Sequence, residues 1–196
     1  MFNQLGYIRD LYQSELLAVE FFNTDKASLK AFQSYLKTKR KKAERELIIL
    51  INLTSTEIFR NQLIRMQKQI YKWVENHRII KISEKFIKSN HNRIKNLAEK
   101  NPINRRMHNI RKRLKRIHLI FEALNPEESK KSIKEIESQI GRLCDLRILK
   151  MSLHKFILNC DQNSDSPIIE ILDNINNEIK SIRNECIENL RANKYI

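Results

Sequence analysis

The segment RRMHNIRKRLKRIHLIFEAL, residues 105–124, decides how this chain is read. Seven Lys or Arg and two His stand between Arg105 and His118, with no acidic residue among them. Turned at 100° per residue, the segment resolves into the faces of a helix. Met107, Ile110, Leu114, Ile117, Phe121 and Leu124 recur every three or four residues and form the apolar stripe that must meet a core. On one flank, His108, Arg111, Lys115 and His118 follow at i, i+3, i+7 and i+10, within an arc of roughly 80°. At 1.5 Å of rise per residue, these four donors line one edge over about 15 Å.

Such a flank works against its own helix, because like charges at i, i+4 cost about 0.2–0.5 kcal/mol per pair. Within the segment the sole acid is Glu122, at the far end. A bound anion would supply the missing charge; the competing reading is a solvated basic face that keeps the chain soluble. The two His in register favour the anion. Imidazole adds little to solubility at neutral pH, yet it donates directionally to an oxyanion.

Composition points the same way. The chain has 196 residues, with 38 Lys plus Arg against 23 Asp plus Glu, a net charge of +15, so its partners are expected to be anionic. That length suits one domain or two small halves and can bury roughly 70% of its unfolded surface. Only two Gly and three Pro interrupt a sequence rich in Lys, Leu, Ile, Glu and Asn, which predicts an all-α fold. No uncharged run approaches the length of a membrane span, and MFNQLGYIRDLY lacks the features of a signal peptide. A cytoplasmic protein without membrane contact is the expectation. Cys144, Cys160 and Cys186 are odd in number and without a CxxC spacing, which suggests neither a disulfide framework nor a zinc site.

Taken in order, the chain predicts seven helices. The first spans residues 5–22, with Leu5, Ile8, Leu11, Leu16, Val19 and Phe22 at helical spacing. The second starts after Asn23 or Thr24, is capped by Asp25 and runs to about residue 51; its KTKRKKAER run, residues 37–45, reads as a solvated face or an auxiliary anion contact. The third, capped by Thr54 or Ser55, carries Ile58, Leu63, Met66, Ile70, Trp73 and Val74 toward a core. The fourth, residues 78–100, stacks Arg78, Lys81, Lys85, Lys88 and Lys95 as a second basic stripe, either a wet face or a second wall of an anion site. Asn101-Pro102, Asn125-Pro126 and Ser166-Pro167 each pair an N-cap with Pro at the first helical position, and so open the fifth, sixth and seventh helices. The last presents Ile168, Leu172, Ile175, Ile179, Ile182, Cys186 and Leu190 as a long seam.

An internal repeat links the two glycines. LGYIRDLYQSELLAVEFF from Leu5 and IGRLCDLRILKMSLHKFI from Ile140 share Gly, Asp, Leu and Phe in phase, at an offset of 135 residues. Gly within a helix costs about 1 kcal/mol relative to Ala, so Gly6 and Gly141 predict close approach of a neighbouring backbone. Asp10 and Asp145 are expected to be hydrogen-bonding partners for basic helices. His108 precedes Gly141 by 33 residues, and its counterpart would lie upstream of Met1; the chain is therefore expected to begin inside a repeat.

MHNIRKRLKRI, with His108, Arg111, Lys115 and Arg116, followed by IGRLCDL over residues 140–146, resembles the second half of a CHAD domain, a helical domain named for its histidines. LGYIRDL is similar to the matching element of the first half. The resemblance implies two pseudo-symmetric antiparallel bundles of long helices within a single domain, 1–196, divided into halves 1–100 and 101–196, the first incomplete at its start. It implies binding of inorganic polyphosphate in a basic groove or cavity, with His108, Arg111, Lys115 and Arg116 on the phosphates. His118 stands where that family commonly has Arg or Lys. Arg offers paired planar donors and Lys a point charge, and a row of both suits a linear polyanion.

Nucleic acid is the alternative partner, since the same charge supports phosphate contacts. The basic segment has no aromatic residue before Phe121 on which a base could stack. For an enzyme, the sequence offers no Gly-rich phosphate loop, no His-Glu-x-x-His and no carboxylate cluster for a metal. His77, His91 and His154 are scattered and read as surface or boundary residues. The expectation is thus a non-catalytic binder without cofactor or metal, with a homo-oligomer that completes the first half left open.

Overall fold

The computed structural model describes residues 2–22, 25–53, 56–74, 79–100, 104–124, 127–160 and 167–192, with side chains for all of these except 2, 56, 58, 59, 70–74, 79, 80, 104, 105, 124, 127–130 and 160. The described residues form seven helices and no strand: α1 (Phe2–Phe21), α2 (Lys26–Leu53), α3 (Thr56–Val74), α4 (Ile79–Glu99), α5 (Asn104–Leu124), α6 (Glu127–Cys160) and α7 (Pro167–Arg191). The chain is all-α, as its composition requires. Asp25 caps α2: its Oδ1 accepts the Ser28 N–H at 3.0 Å, and the Ser28 side chain and backbone together hold the Asp25 carboxyl below the usual carboxylate range. The caps expected at residues 23, 24, 54, 55, 101, 125 and 166, together with His77 and Arg78, lie outside the described residues. So do the side chains of Ile58, Ile70, Trp73, Val74 and Leu124.

One compact unit comprises Met1–Ile51 and Gly141–Glu185. Its core takes Leu11, Leu17, Ala18 and Phe22 from α1 and its end, Phe32 and Leu36 from α2, Leu146, Leu149, Leu153 and Phe156 from α6, and Ile168, Ile171, Leu172 and Ile175 from α7. Phe32 sits at the centre, stacked on Phe22 at 5.9 Å and edge-on to Phe156 at 5.4 Å. Each fully buried side chain of this size contributes about 1.5–3 kcal/mol. At the rim, Arg142 of α6 forks onto both Glu20 of α1, at 2.5 and 3.1 Å, and Glu178 of α7, at 2.9 and 3.0 Å. Arg40 of α2 reaches Glu15 of α1 at 2.6 Å.

The structure corrects the expected face of α1. Of the six positions given to the core, Leu11 and Phe22 are buried, Ile8 is intermediate, and Leu5, Leu16 and Val19 are 47%, 50% and 51% exposed. The buried face runs instead through Leu11, Ser14, Ala18 and Phe22, with Leu17 beside it. Ser14 joins it without penalty because its hydroxyl donates to the Asp10 carbonyl at 2.9 Å. Gly6 also departs from expectation: it is exposed, and a Cβ there would meet nothing within 4 Å, so close approach does not explain it. Gly141 is buried.

The second unit comprises Asn52–Ile140 and Cys186–Ile196. Its buried hydrophobic residues are Ile94 and Ala98 of α4, Met107, Ile110, Leu114 and Ile117 of α5, Ile133, Ile136 and Ile140 of α6, and Cys186, Ile187 and Leu190 of α7. Polar contacts order these helices around a ring. Arg113 of α5 meets Asn90 of α4, Arg111 of α5 meets Glu137 of α6, and Gln139 of α6 accepts from Cys186 and Asn189 of α7. Lys95, Ala98 and Glu99 of α4 share an open cavity of about 320 Å³ with Leu190 and Arg191 of α7. In α3 the expected core residues Leu63 and Met66 are 56% and 59% exposed. Each unit takes segments from both sides of residue 100, and α6 and α7 each continue unbroken from one unit into the other.

Candidate functional site

The rotation of α5 is fixed by its stripe, since Met107, Ile110, Leu114 and Ile117 are at most 2% exposed. With the apolar side committed to the core, both basic flanks are fixed as well. On the flank toward α6, His108 and Lys115 are exposed while Arg111 and His118 are half-buried. Arg111 Nε lies 3.8 Å from Glu137 Oε1, an ion pair too long for a hydrogen bond, and this buried Nε has no hydrogen-bond partner among the described residues. His118 Nε2 is 3.4 Å from Glu122 Oε1 on the same helix, and its buried Nδ1 is likewise unsatisfied. Burial first, then Lys112 and Arg111, push the His108 imidazole below its ordinary pKa.

Arg116 belongs to the other flank. It lies about 140° around the helix from Arg111, using 100° per residue. There it accompanies Arg113, whose Nη1 donates to Asn90 Oδ1 at 2.8 Å. Asn90 is only 4% exposed, and its own Nδ2 donates to the Phe86 carbonyl at 2.9 Å. Burial, followed by the neighbouring charges of Arg93 and Arg116, lowers the Arg113 pKa. Three guanidiniums, Arg93, Arg113 and Arg116, therefore gather along the α4–α5 seam. The sequence reading did not single out Arg93 or Arg113. The signal was Asn90, four residues before Ile94: an amide in the apolar phase of α4 needs a polar partner from a neighbour.

The lysines of α4 go elsewhere. Lys81, Lys85 and Lys88 are all exposed and lie roughly 140–180° around the helix from Asn90, on the side turned away from the Arg113 contact. They are not brought together with the α5 flanks. Asp10 and Asp145, the repeat's aspartates, are both half-buried and within electrostatic range of each other. Burial raises the Asp10 pKa, Arg9 opposes that, and Asp145 adds to it. His91 is half-buried and held below its ordinary pKa by burial and by Lys95; His154 is exposed. Among the described residues no three His, Cys, Asp or Glu come together in a way that could hold a metal ion, and no helix is long and apolar enough to cross a membrane.

Chemically, the two flanks of α5 offer directional N–H donors and fixed positive charge, with Glu137 and Glu122 answering two of the four groups on the α6 side. An oxyanion placed there would gain charge-assisted hydrogen bonds from groups already held on a rigid helix. No family model, no curated protein and no solved structure matches the chain.

Proposed function

We propose that α5 binds a linear inorganic polyanion, with inorganic polyphosphate the best-fitting chemistry, and that the protein acts as a non-catalytic binding module of the cytoplasm. The observation that carries the reading is the locked rotation of α5. Its buried stripe leaves His108, Arg111, Lys115 and His118 along one edge, with an unsatisfied Nε–H on Arg111 and an unsatisfied ring nitrogen, Nδ1, on His118. An extended chain of phosphates repeats its charge along its length, and a row of donors on one helix edge matches that repeat. Arg116, with Arg113 and Arg93, would hold a neighbouring stretch of the same polymer, and Lys81, Lys85 and Lys88 would add long-range attraction. The CHAD-like organisation, as two pseudo-symmetric bundles, is part of this proposal.

Two measurements test it. Arg111→Glu with Lys115→Glu should reduce polyphosphate affinity at least a hundredfold while leaving the helical signal intact, since both side chains lie off the buried stripe. Lys39→Glu with Lys41→Glu, in the basic run of α2, should weaken binding only a few-fold through net charge. Equal losses from the two pairs would reduce the site to non-specific electrostatics. In competition at about 0.15 M salt, polyphosphate should resist displacement by DNA or RNA at least tenfold, about 1.4 kcal/mol. Equal competition would assign the face to nucleic acid.

A further inference from the structure

The two flanks of α5 are not balanced alike. Toward α6, Glu137 answers Arg111 and Glu122 answers His118. Toward α4, Arg93, Arg113 and Arg116 meet no carboxylate within ion-pair distance among the described residues. Arg113 commits its Nη1 to Asn90, and its buried Nε has no hydrogen-bond partner among those residues. Arg106, earlier on the same flank, is turned aside to the Lys100 carbonyl, where its Nη1 donates at 2.8 Å. The α4 side therefore holds three guanidiniums with no acid to offset them.

Two contacts fix how the three are arranged. Arg106 reaches Lys100, and further along α5 Arg113 reaches back to Asn90, so α4 and α5 run antiparallel. In that register Arg93 stands three residues from Asn90 toward the end of α4, and Arg116 stands three residues beyond Arg113 in the opposite direction. Each step is about 4.5 Å along its helix, so the two flank Arg113 on opposite sides in a row of about 9 Å. Arg93 and Arg116 are exposed. Arg113 is half-buried, and the amide that holds it is itself fixed on the Phe86 carbonyl at 2.9 Å. The arrangement is one immobilised guanidinium between two that are free to close on a ligand. Burial and the charges of Arg93 and Arg116 lower the Arg113 pKa, a crowding that a bound anion would relieve.

Three clustered cations call for more than a single negative charge in return. An internal phosphate of a linear chain carries one charge and two free oxygens, whereas a terminal phosphate resembles a monoester, with about −1.5 to −2 at pH 7 and three acceptor oxygens. Guanidiniums fork onto such oxygens with paired N–H bonds. We propose that the seam of Arg93, Arg113 and Arg116 is an end-group site for a doubly charged phosphate, supplied either by the terminus of a polyphosphate chain or by free orthophosphate. The first source rests on the reading of α5 as a polyphosphate-binding helix; the second does not. A chain on the α6 edge has a basic route to the seam. Lys115 and Lys112 are exposed, and at 100° per residue they fall in that order between Arg111 and Arg116 around the outer side of α5. The polymer can cross there and deliver its end to the three guanidiniums.

Calorimetric titration of the full chain at about 0.15 M salt compares linear tripolyphosphate with cyclic tetrametaphosphate. Both carry a total charge of about −4, and only the linear ligand has ends. It should bind at least tenfold tighter. Arg93→Gln with Arg116→Gln, both exposed and off the buried faces of their helices, should erase that preference with helicity unchanged. Lys39→Gln with Lys41→Gln, an equal loss of charge on α2, should preserve it. Orthophosphate separates the sources: displacement of tripolyphosphate at a comparable concentration assigns the seam to the free anion, and a need for at least tenfold more assigns it to the chain end. Failure of tripolyphosphate to bind, equal affinity for the linear and cyclic ligands, or a preference that survives the double Arg variant would overturn the proposal. The polymer reading fails separately, if Arg111→Glu with Lys115→Glu leaves long-chain polyphosphate binding intact, whatever is found at the seam.

Discussion

His108 is the member of the basic row whose pKa is displaced downward, and its titration should report on ligand. In the free protein its folded pKa lies below the ordinary imidazole value of about 6.5. Between the two pKa values the unfolded chain binds more protons, so this histidine's effect on stability is to lower it as pH falls through that window. A bound polyanion reverses the local field and should lift the His108 pKa past 6.5, coupling ligand uptake to proton uptake. Affinity should then rise by up to about tenfold per pH unit as pH falls from 7.5 toward 6. Imidazole shifts followed by NMR with and without polyphosphate check this; a His108 pKa that does not rise with saturating ligand would remove it from the site. His108→Ala should flatten part of the pH dependence while Lys115→Ala lowers affinity at all pH values.

Asp10 titrates in the opposite sense. Its folded pKa is raised, chiefly by burial with Asp145 adding repulsion, so the folded state holds the proton longer than the unfolded chain. The sign is that stability falls as pH rises through the raised pKa and is lowest once Asp10 is fully ionised. Asp10→Asn should therefore leave stability near pH 3 unchanged and raise the Tm at pH 7 by about 2 °C. A lower Tm at pH 7 would mean that the ionised carboxylate has a partner worth more than its burial costs.

Among the elements, α5 and α7 were legible because each has one apolar stripe. Met107, Ile110, Leu114 and Ile117, and Ile168, Leu172, Ile175, Cys186 and Leu190, are buried where the 3.6-residue period put them. The α1 helix was not, because Leu5, Leu16 and Val19 satisfy the same period as well as the true face does, and periodicity cannot rank two stripes on one helix. The repeat does not rank them either: Leu11 matches the buried Leu146, but the exposed Leu5 matches Ile140, which is buried as well. The basic flank of α5 was readable, whereas the seam of Arg93, Arg113 and Arg116 was not, because it depends on which helix packs beside α5. Asn90 and Arg113 carry a prediction at this scale. Arg113→Met leaves the buried Asn90 Oδ1 unsatisfied and should cost about 1–3 kcal/mol, while the double variant with Asn90→Leu should recover most of that loss. Denaturant titration of the four proteins in the cycle measures the coupling; additive losses would mean the 2.8 Å bond is not what holds α4 to α5.

At the scale of the whole molecule, the division of the chain into two compact units meets a constraint from α6 and α7, which each run unbroken from one unit into the other. Unfolding one unit alone would leave half of a 34-residue helix and part of a 25-residue helix without the packing that stabilises them. Isolated helical segments of 12–15 residues are marginal in water, so the freed halves would melt and expose the apolar sides of the halves still packed. The free-energy cost of that boundary should exceed what either unit gains by opening separately. Unfolding is then a single cooperative transition, with calorimetric and van't Hoff enthalpies in agreement. Leu149→Ala in the first core and Leu114→Ala in the second, both at fully buried positions, should each remove about 2–5 kcal/mol and move the same transition down by about 10 °C. If instead each variant split the melt into two steps, with only its own unit displaced, α6 and α7 would be acting as passive connectors, and the units would be independently stable domains that happen to share helices.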